Sequence, residues 1–343
     1  MSSSPLIVFR LEGIYCPVAD VYIDPWRPVD TAIITHAHAD HARWGMKMYI
    51  AHQDSIPVMR QRLGWDIKAI PKTYGQRFSK NGVTFSLHPA GHILGSAQVR
   101  VAYRGEVWCI SGDYKTGHED STCVPFEPVK CHHFVTESTF GLPVYQWPAQ
   151  AQTAQEINQW WSANKSEGVT SVILTYALGK AQRVLSMLDP SIGRIYTHGA
   201  VENVNQLFRQ HGHQVPDTFR VTKHIEKSEY KGHMIIATPA SANTPWMKKF
   251  KPYRIAMASG WMLLRGTRRR RNVDKGFVIS DHADWNGLNQ AIAATGAENI
   301  YVTHGYSEIF SQWLQSQGYN AKVVKTAYEG ETEEPEQTMS VDH

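Results

Sequence analysis

The sequence predicts an α/β fold, and three observations support this prediction. Segments with the pattern of short apolar strands alternate with segments of helical periodicity, which is the order that builds a parallel sheet. Several of the apolar strands end in a histidine or an aspartate, and ligands gather at the carboxyl ends of strands in such sheets. The chain has 343 residues, of which 42% are hydrophobic, so it can bury the cores of about two domains.

The order of strands and helices divides the chain into parts. Residues 1–140 are mostly predicted strands with short turns and form the first part of one domain. Residues 141–258 are expected to be an inserted domain, with these segments: a helix at 151–163, a strand at 169–174, a helix at 179–188, a strand at 195–197 and a helix at 201–210. Residues 259–328 complete the first domain, with strands at 276–280 and 300–303 and a helix at 285–295. Residues 329–343 are acidic and are expected to be a disordered, solvated tail.

The segment that says most about chemistry directly follows the apolar run Thr31–Ile34. Four potential metal ligands, His36, His38, Asp40 and His41, fall within six residues there. In an extended segment His36 and His38 point to the same side, and Asp40 and His41 follow at a turn where they can face a second ion. Imidazole suits zinc, and mixed imidazole and carboxylate ligands suit zinc or manganese. Surface histidines would explain a single pair, but the full string favours a metal site.

Further potential ligands follow other apolar strands. Asp24, Asp113 and His304 each come at the end of such a strand, and His92 lies in a glycine-flanked loop after another. Taken alone, each of these residues could do no more than cap a turn. Together with the first motif they predict one metal site at a shared edge of the sheet.

On these motifs the sequence resembles the metallo-β-lactamase superfamily, specifically its β-CASP branch of nucleases, over nearly the whole chain. The resemblance implies a four-layer αβ/βα sandwich with an inserted α/β β-CASP domain. It also implies two divalent metal ions, zinc or manganese. Their ligands would be His36, His38 and His92 for the first ion, and Asp40, His41 and His304 for the second. Asp113 would bridge the two ions, and Asp24 would orient the ligands from behind.

Two motifs distinguish the β-CASP branch from the lactamases. One is an acidic residue after a strand, matched by Glu137, and the other is a histidine, matched by His282. The reaction implied is phosphodiester hydrolysis, in which Asp40 and Asp113 act through the ions. His282 would orient the scissile phosphate or protonate the leaving oxygen, and Glu137 would hold its ring by a hydrogen bond.

Within the branch, the stretch 259–285 resembles bacterial DNA ligase-associated exonucleases, which are relatives of the DNA cross-link repair nucleases. This implies a DNA exonuclease in repair that starts from the 5′ end of single-stranded or frayed DNA, in association with a DNA ligase and other repair enzymes. His304 favours the alternative of an RNA-processing nuclease, because the cross-link repair enzymes tend to have valine there. A nucleic-acid-binding scaffold without catalysis would lack ligands, and no ligand is missing. A small-molecule zinc hydrolase is disfavoured by the inserted domain and by the arginines near residue 270.

Two basic features are candidates for contacts with nucleic acid. The run Arg268, Arg269, Arg270 and Arg271 can neutralise several phosphates, although a solvated loop would have the same composition. Lys180 and Arg183 lie at a strand-to-helix junction of the insert, where backbone N–H groups bind phosphate readily. The alternative for this junction is a routine turn.

Composition indicates where the chain acts. No stretch approaches the roughly 20 apolar residues that span a membrane, and the first residues lack the charged start and apolar core of a signal peptide. We therefore expect a cytoplasmic protein without membrane contact. The four cysteines form no Cys-x-x-Cys pair, which disfavours a thiolate zinc site and a disulfide framework. The net charge of +4 says little about partners.

Overall fold

The computed structural model describes residues 5–117 and 121–327. The described chain divides into two compact units. The first comprises the residues up to Gln146 and those from Asp281 onward, and the second is Trp147–Ser280. The predicted acidic tail, 329–343, lies outside the described residues.

The first unit begins with a series of strands into which one α-helix, α1, is inserted after β5. In chain order the elements are β1 (Val8–Phe9), β2 (Ile14–Cys16), β3 (Val21–Ile23), β4 (Thr31–Ile34), β5 (Met48–His52), α1 (Ile56–Leu63), β6 (Ala69–Lys72), β7 (Phe78–Lys80), β8 (Val83–Pro89), β9 (Ala97–Tyr103), β10 (Glu106–Ile110) and β11 (His133–Ser138). This agrees with the strand-rich pattern predicted for the first 140 residues. Glu137 lies inside β11 and not after it, because β11 stays paired with its neighbour strand as far as Ser138.

The second unit alternates strands and helices. Its elements are α2 (Gln150–Ser166), β12 (Thr170–Leu174), α3 (Lys180–Ser186), β13 (Ile195–Thr197), α4 (Gly199–Gln210), β14 (Phe219–Arg220), β15 (Met234–Ala237), β16 (Tyr253–Ala258), α5 (Arg265–Arg270) and β17 (Lys275–Phe277). Short 3-10 helices lie between β14 and β16, among them Pro245–Phe250. The chain then returns to the first unit with α6 (Trp285–Thr295), β18 (Asn299–Gly305), α7 (Ser307–Ser316) and β19 (Asn320–Val323).

Two sheets pack against each other in the first unit. One has the strand order β1-β2-β3-β4-β5-β6, and the other has the order β19-β18-β11-β10-β9-β8-β7. Apolar side chains from both sheets, such as Ile23 and Ile33 from one and Val99 and Ile110 from the other, share one core. Leu288 of α6 and Phe310 of α7 belong to a second core, with residues of β11 and β18. A sheet sandwich with helices on the outside follows from these two cores.

Parallel pairing places the functional residues of the first unit. Strands β3, β4, β5 and β6 run parallel to one another, and so do β10, β11, β18 and β19. Their carboxyl ends therefore lie at common edges of the two sheets. The loops after β4, β10 and β18 leave from these edges, which is where ligands are expected.

The second unit has a sheet of its own with all strands parallel, in the order β14-β13-β15-β12-β16-β17. Strands buried on both faces are apolar along their whole length, as in β12, where every residue is buried. The order departs from the chain order because β12 lies at the centre, with β13 and β16 on opposite sides of it.

Several segment predictions are confirmed. Helix α6 and strand β13 have the predicted bounds, and α2 is longer than predicted by one residue at its start and three at its end. The sequence did not predict that the arginine run begins in a helix, α5. The domain boundaries remain predictions, but β17 pairs with β16 and so belongs to the sheet of the second unit. No helix among the described residues is both long and apolar enough to cross a membrane.

Candidate metal centre

The loop after β4 carries four predicted ligands, and hydrogen bonds hold its backbone in place. These ligands are His36, His38, Asp40 and His41. The amide of Ala42 donates to the carbonyl of His38 at 2.8 Å, and the amide of Ala97 donates to the carbonyl of Thr35 at 2.8 Å. The guanidinium of Arg62 donates to the carbonyl of Ala37. One hydrogen bond within the loop and hydrogen bonds from β9 and α1 fix the loop, so its side chains start from a defined position.

Asp113 lies at the centre of the cluster, in the loop after β10. Its Oδ2 is 3.6 Å from Nε2 of His36 and 3.8 Å from Nε2 of His92. Its Oδ1 is 3.5 Å from Nε2 of His41 and 3.1 Å from Nε2 of His304. Each oxygen of the carboxylate thus faces a different pair of imidazoles. A carboxylate that bridges two metal ions needs this division.

The remaining predicted ligands complete the two groups. Nδ1 of His38 is 3.0 Å from Nε2 of His92, so these two nitrogens converge on a small space. Ligand atoms of His36, His38, His92 and Asp113 all lie within 4.8 Å of one another. The same holds for a second group, made of His36, Asp40 and His41. The structure therefore brings all seven residues predicted as ligands into one cluster, because His304 also contacts Asp113.

The donor set fits divalent metal ions. Nε2 of His36 is buried and has no hydrogen-bond partner among the described residues, which is costly unless a ligand occupies the space in front of it. Burial lowers the pKa of His36 and of His92 well below the usual value, with further lowering from neighbouring histidines. Both imidazoles are therefore neutral, the form that binds a metal. Imidazole nitrogens combined with carboxylate oxygens suit zinc or manganese.

Asp24 lies behind two of the predicted ligands, His36 and His41. It is buried at the end of β3, where its φ of 42° is in the left-handed region. Oδ1 accepts from the amide of Thr35 at 2.7 Å, and Oδ2 accepts from the Thr35 hydroxyl and lies 2.8 Å from Nδ1 of His41. Burial would lower the pKa of His41, but the carboxylates of Asp40, Asp113 and Asp24 raise it to about 10. The sequence analysis expected Asp24 to support the ligands from behind, and this role stays a prediction.

The sequence analysis missed the threonines that precede two of the histidines. The Thr35 hydroxyl donates to Asp24 and lies 3.1 Å from Nδ1 of His36. In the same way the Thr303 hydroxyl donates to the carbonyl of Thr136 at 3.0 Å and lies 3.3 Å from Nδ1 of His304. A hydroxyl that has already donated can only accept from the ring, so each threonine holds the proton on Nδ1 and turns Nε2 towards Asp113. A Thr-His pair occurs at the ends of two strands, and this repetition could have identified the two threonines from the sequence.

His282 and Glu137 form a separate hydrogen-bonded pair beside the ligands. Nδ1 of His282 lies 2.8 Å from Oε2 and 3.0 Å from Oε1 of Glu137, and both side chains are buried. The amide of Tyr114 donates to Oε1 of Glu137 and fixes the carboxylate. The carbonyl of Asp281 accepts from Nδ1 of His92 at 2.9 Å, so the backbone next to His282 also orients a predicted ligand.

The predicted nucleic-acid contacts belong to the second unit. Lys180 and Arg183 on α3 are buried, with 0% and 1% of their surface exposed. Arg269 is exposed and Arg271 is half-buried, while the side chains of Arg268 and Arg270 lie outside what the structure describes. The contacts of all six residues with nucleic acid stay predictions. Only the tertiary structure shows that Lys180 and Arg183 are buried, because their sequence is typical of an ordinary helix start.

Comparison with known proteins finds relatives along most of the chain. A probable DNA ligase of Opitutus terrae is 29% identical over 320 residues, which cover 90% of this chain and 30% of that protein. An RNase J-like protein of Methanocaldococcus jannaschii is 24% identical over 212 residues, covering 53% of this chain and 50% of the relative. The endoribonuclease YSH1 of Saccharomyces cerevisiae is 28% identical over 119 residues, 34% of this chain and 15% of that one. These relatives point to the metallo-β-lactamase/β-CASP nuclease superfamily.

The fold class predicted from the sequence is confirmed. A solved structure from Enterococcus faecalis V583, of a protein of unknown function, matches 87% of this chain and 80% of its own with a TM-score of 0.60 and 10% identity. At that identity the match concerns the fold alone. The chain spans 30% of the length of the ligase and half that of the RNase J-like protein. No family model matches the chain.

Proposed function

We propose that the protein is a metal-dependent nuclease that uses two divalent ions to hydrolyse phosphodiester bonds in DNA. The observation that carries the proposal is the position of Asp113, whose two carboxylate oxygens face different pairs of imidazoles. Ions bound there would be held by the seven residues of the cluster. When bound, they supply a hydroxide at neutral pH and stabilise charge on the phosphoryl oxygens.

The residues of the chain itself supply the rest of the mechanism. Asp113 and the surrounding imidazoles fix where the reacting phosphate is held, because each ligand is oriented by a buried partner such as Asp24 or Thr35. Glu137 accepts the Nδ1–H of His282, so Nε2 is the atom that orients the scissile phosphate or protonates the leaving oxygen. A histidine can do either near neutral pH.

The choice of DNA rests on one relative. The protein named a probable DNA ligase matches 90% of this chain, far more than the other relatives named above. We therefore propose an exonuclease in DNA repair that starts at the 5′ end of single-stranded or frayed DNA and works together with a DNA ligase. The cytoplasm stays the expected location.

A second candidate is an RNA-processing nuclease. The RNase J-like protein and the endoribonuclease support it, and so does His304, which contacts Asp113 in this chain. A nucleic-acid-binding scaffold without catalysis has no support from the cluster, since all seven predicted ligands lie together there.

One digestion experiment tests the proposal. Single-stranded DNA and RNA of matched sequence, labelled at the 5′ or the 3′ end, are incubated with Mn²⁺, Mg²⁺ or Zn²⁺, with Asp113→Ala as the control. Early release of the 5′ label as a short product from DNA is the expected result. Faster cleavage of RNA would select the second candidate. If neither polymer is cleaved with any of these ions, the nuclease function is rejected.

A further inference from the structure

A pair of tyrosine hydroxyls lies beside the metal centre in the first unit, and the mechanism proposed above does not use it. The hydroxyl oxygens of Tyr145 and Tyr306 are 3.1 Å apart. Tyr145 is fully buried, whereas Tyr306 is half-buried. Tyr306 follows the predicted ligand His304 with one residue between them, so the two Cα atoms lie within about 7 Å of each other. The pair therefore belongs to the surroundings of the metal centre.

The backbone of Tyr306 is held on both sides. The chain turns sharply after His304, where Gly305 has a φ of 86° and a Cβ would lie 2.3 Å from the carbonyl oxygen of Ser138. The amide of Tyr306 donates to the same carbonyl at 2.9 Å. The carbonyl of Tyr306 accepts from the amide of Phe310 in α7, also at 2.9 Å. The ring of Tyr306 therefore starts from a fixed position at the carboxyl end of β11.

The other member of the pair, Tyr145, lies next to His282. The ring of Phe140 stands between them, with its centroid 4.9 Å from that of Tyr145 and 6.0 Å from that of His282. The carbonyl of Tyr145 accepts from the amide of Trp285 at 3.0 Å, which ties it to the segment that follows His282. The hydroxyl pair therefore joins the loop of His304 to the loop of His282. A nucleic-acid strand that reaches both histidines passes this pair.

The chemistry of the pair suits a phosphate oxygen. Two hydroxyls have two protons, and only one proton can lie between the two oxygens, so the other is donated outside the pair. Tyr306 is the half-buried member, so it is the one that a bound strand can reach. Hydrogen bonds to an anionic oxygen are stronger than those to a neutral one. Tyrosine hydroxyls are among the groups that bind phosphates and thereby fix the register of a strand.

We propose that Tyr306 is a substrate contact, whose hydroxyl donates to a phosphate oxygen of the nucleic-acid strand next to the phosphate that reacts. Tyr145 holds this hydroxyl in place. By fixing one phosphate, the contact sets which phosphodiester bond lies at the metal centre. The inference rests on the proposed nuclease function and names a further substrate-binding residue for it.

The test measures binding of short single-stranded DNA and RNA by fluorescence anisotropy. The protein is treated with EDTA, so that the strand is bound and not cleaved. Tyr306→Phe removes only the hydroxyl oxygen and is expected to weaken binding about 10- to 100-fold, the range for a lost hydrogen bond to a charged group. Tyr145→Phe leaves that hydroxyl in place and is expected to weaken binding roughly 2- to 10-fold. A larger loss in Tyr145→Phe than in Tyr306→Phe would overturn the assignment to Tyr306.

Tyr301→Phe is the matched control, because Tyr301 is also half-buried and lies on β18 ahead of His304. It should bind both strands like the unaltered protein, and a loss equal to that of Tyr306→Phe would overturn the contact. Competition with a chelator should show normal metal affinity in Tyr306→Phe. Weaker metal binding in this variant would make Tyr306 a positioning residue for His304 and would also overturn the contact.

Strands in which a methylphosphonate replaces one phosphate locate the contact. The methyl group removes an anionic oxygen, so Tyr306→Phe should cause no further loss of affinity when the contacted phosphate is the one replaced. With the replacement at any other phosphate, the variant should show its full loss. A full loss at every position would mean that Tyr306 donates to no phosphate.

The digestion assay is run on the same preparations, so that the two proposals can fail separately. Cleavage of a polymer together with a full loss at every methylphosphonate position rejects the Tyr306 contact alone. Coupling of Tyr306 to one phosphate without cleavage of any polymer upholds the contact and rejects the nuclease function. Absence of strand binding to the unaltered protein would overturn the contact as well.

Discussion

Two buried threonines follow parallel strands in the two units, and their surroundings differ. Thr35 follows β4, and its hydroxyl donates to Asp24 and lies within hydrogen-bond distance of His36. Thr175 follows β12, and its hydroxyl has no partner among the described residues. Each threonine is 1% exposed. A threonine at the same kind of position therefore forms side-chain hydrogen bonds in one unit and forms none with the described residues in the other.

The two strand ends differ in whether the threonine hydroxyl already has hydrogen-bond partners. At the metal centre the groups behind the predicted ligands, such as Asp24 and Thr35, hydrogen-bond to one another and to the ligands, so the ligands are held in place before any ion arrives. At the end of β12 the buried hydroxyl of Thr175 has no such hydrogen bond to any of the described residues. Substitutions of the two threonines should therefore have different readouts.

The largest effect is expected from Asp113→Ala. Loss of the central carboxylate removes the group that faces both pairs of imidazoles, so turnover should fall by roughly 10³-fold or more, since metal catalysis contributes several kcal/mol. His38→Ala should have a similar effect. Circular dichroism should show that both variants fold, because neither residue belongs to the apolar cores. Nuclease activity at the unaltered level in Asp113→Ala would remove the two-metal mechanism.

His282→Ala should lower the rate by roughly 10²- to 10⁴-fold, as expected for a lost general acid or base. Its metal content, measured by mass spectrometry, should not change. Glu137→Gln should cost less, about 10- to 100-fold, because Glu137 acts only through the ring of His282. Loss of bound metal in His282→Ala would mean that this histidine is a ligand.

Thr35→Val tests how far the hydrogen bonds around the ligands matter. It should weaken metal binding about 10- to 100-fold, the usual cost of losing a partner behind the ligands, and Thr303→Val should act similarly. Competition with a chelator measures the affinity. Thr175→Val serves as the control in the other unit and should bind metal normally. Equal metal affinity in all three variants would contradict the orienting role of the threonines.

Replacement of Arg268, Arg269, Arg270 and Arg271 by alanine should weaken binding of single-stranded DNA of any sequence. The salt dependence should flatten by about 0.7 in log-log slope for each lost phosphate contact. Hydrolysis of a small activated phosphodiester should remain, because that substrate reaches the ions without these side chains. An unchanged slope with full activity on long DNA would make the run an ordinary solvated surface.

The smallest effects concern stability, measured by denaturant unfolding. Thr35→Val should lower the free energy of unfolding by about 1 to 3 kcal/mol, because it leaves the buried carboxylate of Asp24 without one of its donors. Thr175→Val should change it by about 0.5 kcal/mol or less, because no hydrogen bond is lost. A large loss of stability in Thr175→Val would show that its hydroxyl has a structural partner after all.

The local pattern was sufficient for several of the elements and for the kind of site. Helix α6 was predicted with the right bounds because Asp284 caps its start and Gly296 its end. The types and spacing of the ligands predicted a metal centre because histidines and aspartates at several strand ends must meet at one edge. Helix α5 was missed because a run of like charges carries no apolar periodicity.

The sequence by itself determined the fold class, several of the elements and the set of side chains that could hold metal, since periodicity and ligand chemistry are local properties. Only the tertiary structure decided which atoms meet. His92 and Asp281 are 189 residues apart, yet they share a hydrogen bond. The split of Asp113 between two pairs of imidazoles depends on four separate strands, β4, β8, β10 and β18. The tertiary structure also decided that Lys180 and Arg183 are buried and that the hydroxyl of Thr175 has no partner among the residues that the structure describes. Packing between distant segments sets these contacts, and no local pattern encodes it.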